Sequence, residues 1–355
     1  MHLANTFLQK AAAGKFPTLV AVAAMAAVTG ALAQATIYGN IDQAITKSTT
    51  TVAGKQTATS TGMSSYQMGS SQIGFKGEED LGGGLKASFL HEMGVFTEQN
   101  GGVLTRQAYV GLSGGFGALR AGKQYSPAFF NLIGSDPFGA TGGSGGTYVG
   151  SLLIGNQGTD GDNPLRQANA IQYEAPTLVP GVRIALTKVL AGANSANGAP
   201  KTADSTGYAL LYTSGPLNAG FTSDSIKAQS VAGTGLTAAP TSTTKLTTFA
   251  AQYDLGMAKV SYSDGKIMNN GRGTETSMTG IAIPMGAATL MLTTSTGKIN
   301  TSAGDTKLKG AQYGGNYALS KRTVAYLHIN NSTSTTAANV ATKVNGYGLG
   351  IHHSF

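Results

Sequence analysis

Apolar and polar residues alternate along this chain with a period of two. From Thr36 to Thr46, Ile37, Ile41 and Ile45 share one parity, while Asn40, Asp42 and Thr46 share the other. Successive strand side chains point to opposite faces, so the spacing predicts a strand with one apolar and one polar side. The pattern recurs over Tyr66–Glu78, Gly84–Thr97, Val103–Ser113 and Ala118–Tyr125. The connectors Asp80–Gly84, Ser113–Gly117 and Ser214–Asn218 are rich in residues that accept positive φ or preset a turn. Longer polar connectors are expected at 47–65, 191–204, 230–244, 265–274, 297–306 and 331–342, in tracts of Ser, Thr, Ala, Asn and Gly.

Short turns at one end and long polar loops at the other are the arrangement of an outer-membrane β-barrel with its short end in the periplasm. Composition agrees. Charged residues make up 11% and Gly 51 of the 355 positions, against about 25% charged in an ordinary soluble domain, so much of the surface does not face water. Mean hydropathy is −0.02, the average that apolar-out, polar-in strands produce. Cysteine is absent, which excludes a disulfide framework and thiolate metal sites.

The first residues have the form of an export signal. Lys10 and Lys15 precede the apolar run Phe16–Val28, and Ala31-Leu32-Ala33 offers small residues for cleavage before Gln34. The expected division is a signal peptide over 1–33 and a barrel over 34–355. The run is shorter than the ~20 residues a helical span needs. At ~20 residues per hairpin step, the remaining chain suits an all-β, transmembrane antiparallel barrel of sixteen strands, wide enough for an aqueous lumen.

Several segments together resemble the general diffusion porins of Gram-negative bacteria, especially the trimeric beta-proteobacterial branch. They are Ala35–Gly39, Ser71–Ala87, Thr105–Ser113, Gly117–Tyr125 and the terminal Gly346–Phe355. The resemblance implies a water-filled channel for ions and small hydrophilic solutes in the outer membrane, and the few charges on the long stretch between Tyr125 and Arg166 predict a net basic constriction that leans toward anions. The resemblance also implies a homotrimer, contact with outer-membrane lipid, and a final strand, with Tyr347 and Phe355, read by the barrel-assembly machinery. No cofactor is implied.

The pore chemistry follows from the residues and the resemblance together. Arg106 falls in line with Ala108 and Val110, and a guanidinium facing lipid near the midplane would cost roughly 2–4 kcal/mol, so it is expected in the lumen. Lys76 opposes Phe75 by parity and is expected beside it. Arg166 resembles another wall arginine of the family. Lys123 and Arg120 have opposite parity, so one of them at most joins this basic wall in a regular strand; Lys123 is the candidate. The long stretch between Tyr125 and Arg166 resembles the family's third loop, which folds into the lumen with carboxylates facing that wall; Asp136, Asp160 and Asp162 are the candidates.

Catalysis finds no support in the pattern. No nucleophile, base and orienting group recur at a motif's spacing. The Gly-rich turns lack the helix and lysine of a phosphate site. His352 and His353 are adjacent strand residues on opposite faces and cannot share a metal. The remaining alternative is an exported surface β-protein acting as an adhesin or ligand-binding module, from which the terminal aromatic strand argues away.

Overall fold

A computed structural model describes residues 35–96, 103–139, 166–190, 204–227, 243–269, 272–302 and 304–355. The expected signal peptide and the candidates Asp160 and Asp162 lie outside the described residues. Among the described residues seventeen strands form one antiparallel sheet: β1 Thr36–Val52, β2 Lys55–Ser64, β3 Gln72–Gly82, β4 Leu85–Val95, β5 Val103–Gly114, β6 Gly117–Tyr125, β7 Arg166–Glu174, β8 Val182–Val189, β9 Asp204–Ser214, β10 Leu217–Lys227, β11 Thr243–Asp254, β12 Lys259–Asn269, β13 Arg272–Met285, β14 Ala288–Thr301, β15 Gly304–Ala318, β16 Thr323–Thr335 and β17 Ala341–Ser354. A single helix among the described residues, α1, spans Pro127–Ile133.

The sheet closes on itself. β1 pairs with β17 from Asn40 opposite Ser354 to Val52 opposite Thr342. On its other side β1 pairs first with β3, Thr36 opposite Lys76, and then with β2, up to Val52 opposite Lys55. β2 and β3 therefore share one stave, and the seventeen strands make a sixteen-stave barrel. Closure leaves no edge to be hydrogen-bonded in hydrocarbon, which is what lets strands cross a membrane. No described helix is long and apolar enough to do so.

The two faces are inverted relative to a soluble protein. Val110, Ile37 and Leu349 are 64%, 59% and 56% exposed on the outside, whereas Thr248, Thr293 and Ser263 are almost wholly buried on the inside. The outer band suits lipid and the inner one water.

Several expected loops are strand instead. The tract 47–65 is a long hairpin closed at Ala53-Gly54, and 265–274, 297–306 and 331–342 are largely the ends of β12 to β17. Ser and Thr tracts lose apolar alternation once the strands extend beyond lipid, but β-branched Thr still fits a pleated ladder. Conversely, the strand expected to begin at Tyr66 begins at Gln72; the residues before it leave the ladder.

Candidate pore constriction

After β6 the chain turns into the barrel. The Ser126 hydroxyl caps α1 by accepting the Phe129 N–H at 3.3 Å, and Pro127 occupies the first turn, where no N–H is needed. Ala128 and Leu132 are fully buried against Leu246 of β11, Ile267 of β12 and Met278 of β13. These three are apolar residues on an otherwise polar inner face, with neighbours such as Thr248, Ser263 and Thr276. Asn131 fixes the register by donating to the Gly220 carbonyl and the Thr248 hydroxyl, each at 3.1 Å.

Two glycines let the loop lie flat. A side chain at Gly220 would collide with the Asn131 amide at 2.1 Å, and one at Gly280 with the Pro137 ring at 2.7 Å. Beyond Pro137, Phe138 stands edge-on to His328 of β16 with ring centroids 4.9 Å apart. The described part of the loop thus runs from β6 along the inner faces of β10–β13 to β16.

Across from this lies a wall of cations on β5–β8. Arg106 donates from Nε to Glu92 Oε1 at 3.1 Å and from Nη2 to the Tyr125 hydroxyl. Arg166 reaches the same hydroxyl at 3.3 Å, and both guanidinium groups lie over the Tyr125 ring, at 5.7 and 5.1 Å. Tyr125 stacks on Phe129 of α1 at 4.0 Å, joining wall to loop. Arg120 donates to Gln172 at 3.3 Å and lies 3.8 Å from Glu174, which also takes a two-pronged pair from Arg183. Glu92 collects the Tyr38 hydroxyl at 2.8 Å and the Gln72 amide at 3.3 Å besides Arg106.

The expected site residues fall out differently. Arg106 and Arg166 stand together. Arg106 does so by a route its parity does not give: Val110 faces lipid, so strict alternation would send Arg106 there too. A bulge intervenes, because Gln107 pairs with Glu92 and Thr105 with Met93, leaving Arg106 as the extra residue and reversing the faces. Lys76 keeps the inner parity, with its ammonium 5.1 Å over Tyr38, but lies nearer the short turns than the Gly74–Glu92 pair and is exposed there. Lys123 sits at a second irregularity, between Gly122 and Gln124 opposite β7, and is half-buried. Arg120 is the one of the two that joins the inner wall.

Asp136 lies in the described part of the loop. It is buried, and its Oδ1 accepts the Phe138 N–H at 2.9 Å, bracing the turn that carries Pro137 and Phe138. A short carboxylate two residues before an N–H favours that local bond. Asp136 is the single carboxylate in the described part of the loop, residues 126–139. His352 and His353 do point apart: His352 lies against Gly69 inside, while His353 bonds Thr323 at 3.0 Å on the outer parity. Among the described residues no cluster of His, Asp or Glu is arranged for a metal.

Barrel, inward loop and arginine wall find their match in known sequences. The profile of the Gram-negative porins matches residues 21–337. The chain belongs to this family. The porin is 31% identical over 250 residues to the outer membrane porin protein 32 of Delftia acidovorans, covering 69% of this chain and 67% of that one. It is 41% identical over 113 residues to the major outer membrane protein P.IB of Neisseria gonorrhoeae, about a third of either chain. Among solved structures, the anion-selective porin from Comamonas acidovorans superposes with a TM-score of 0.74 at 25% identity, over 91% of this chain and all of that one. The porin is a diffusion channel of a Gram-negative outer membrane.

Proposed function

We propose that this channel passes small hydrophilic solutes with a preference for anions, and that Arg106 and Arg166 set the preference. The carrying observation is their convergence on Tyr125, where Glu92 offsets one charge and α1 narrows the opposite side. A ring of fixed cations in a narrow wet passage raises the local concentration of anions and repels cations. The similar Comamonas porin being anion-selective supports the same sign here. Arg120 and Lys76 extend the positive field toward the short-turn end.

The test is the reversal potential of single channels across a salt gradient in planar bilayers. Wild type is expected to lean toward anions, and Arg106→Ala to move toward neutrality. A cation-leaning wild type would sink the assignment.

We further read the assembled form as a homotrimer and the mature chain as beginning at Gln34. Light scattering of the detergent-solubilised protein and N-terminal sequencing of outer-membrane material test these in turn. A monomer or a different first residue would overturn the respective reading.

A further inference from the structure

Between β2 and β3 the residues Ser65–Ser71 leave the ladder and cover part of the inner face. Gln67 lies over Gly348, where any side chain would meet its amide at 2.8 Å, and Gly69 lies against the His352 ring. Gly348 and His352 are on the inner parity of β17, since Leu349 and Ile351 face lipid. The segment therefore stands inside the barrel over β1 and β17.

Asp42 of β1 holds it there. Its carboxylate is fully buried; Oδ2 accepts the N–H groups of Met68 at 2.8 Å and Gly69 at 3.3 Å, and Oδ1 accepts the Tyr326 hydroxyl at 2.5 Å. The Ser71 hydroxyl accepts the Asp42 N–H at 2.9 Å, tying the end of the segment to the same residue. Bonds from neutral donors to an ionised carboxylate are roughly twice as strong as neutral pairs. Tyr326 also lies beside His328 at 4.8 Å, the ring on which Phe138 of the loop rests. Phe138, near the end of the described part of the loop, and the Ser65–Ser71 segment thus meet on β16.

We propose that Ser65–Ser71 is a second constricting element of the pore and that Asp42 is its positioning residue. With the loop along β10–β13 and this segment over β17 and β1, the open cross-section is displaced toward the arginine wall, so solutes pass close to it. The inference rests on the channel reading but not on the sign of its selectivity, so the readout is pore size.

The experiment compares single-channel conductance, and the largest polyethylene glycol that enters, for wild type, Asp42→Ala and Tyr326→Phe. Current through a wet constriction follows its open cross-section, so Asp42→Ala is expected to raise conductance about 1.5-fold or more and admit larger polymer. Tyr326→Phe, which changes no charge, gives a smaller rise of the same sign.

Gln67→Cys with Gly348→Cys, in a chain that has no cysteine of its own, tethers the segment to β17. In the Asp42→Ala background the oxidised tether is expected to return conductance to the wild-type level and reduction to release it. If Asp42→Ala does not insert, Tyr326→Phe and Ser71→Ala carry the same test with the carboxylate in place. A conducting wild type whose folded variants show unchanged conductance and polymer cut-off overturns the proposal. A folded wild type that gives no current removes the channel reading instead.

Discussion

Glu92 binds Arg106, Tyr38 and Gln72 at once, so the charge balance around Arg106 turns on a single buried carboxylate. Replacing it with Gln keeps the shape and leaves the Arg106 charge uncompensated. A unit charge ~4 Å from a passing ion is worth about 1 kcal/mol even at the dielectric of water, roughly a five-fold change in occupancy. Glu92→Gln is therefore expected to strengthen the anion preference by up to that factor and Arg106→Ala to weaken it, both read as reversal potential. Asp136→Asn offers a contrast. The amide oxygen still accepts the Phe138 N–H, so conductance is expected to hold, whereas Asp136→Ala loses the brace and alters it. At this scale the sequence marked Arg106 and Arg166 but not Glu92 or Tyr125. Glu92 keeps the regular inner parity of β4, and it meets Arg106 through a bulge on the neighbouring strand β5; a bulge is invisible to a parity count because it reverses the count itself.

The inward loop depends on docking at the scale of elements. Leu132 is wholly buried against side chains from three strands, and truncating such a residue to Ala costs about 2–5 kcal/mol. Because the loss falls on the loop, Leu132→Ala is expected to give noisier single-channel current and a loop open to protease, while the folded barrel keeps its heat-modifiable migration in gels. Gly280→Val pushes against Pro137 from the wall and is expected to act in the same way. An unchanged current trace in both variants would show that α1 is held by other means. The strands were largely legible from alternation. α1 was not, because Pro127–Ile133 is too short to display a helical period. The signal was elsewhere: Leu246, Ile267 and Met278 interrupt the polar parity of three separate strands, and only their adjacency in the sheet turns those interruptions into a seat.

The whole barrel is stabilised by exposing what a soluble protein hides. Val110→Lys places a charge among the lipid-facing residues and is expected to cost roughly 2–4 kcal/mol if it lies near the midplane, falling toward zero near the headgroups. Guanidinium unfolding in lipid vesicles reads the difference; no loss of stability would place Val110 outside the hydrocarbon. The sequence by itself determined the fold class, the inversion of the two faces and the number of staves. Period two over about ten residues, joined by glycine turns and carrying few charges, has few other ways to satisfy every backbone group in lipid. Tertiary structure decided what the lumen does. Closure brings β16 and β17 back to β1 and so gives Asp42 its Tyr326 partner 284 positions away. The curvature of the sheet sets α1 and the arginine wall across one passage. Those contacts depend on which strands become neighbours and where the ladder slips, and local alternation along the chain carries neither.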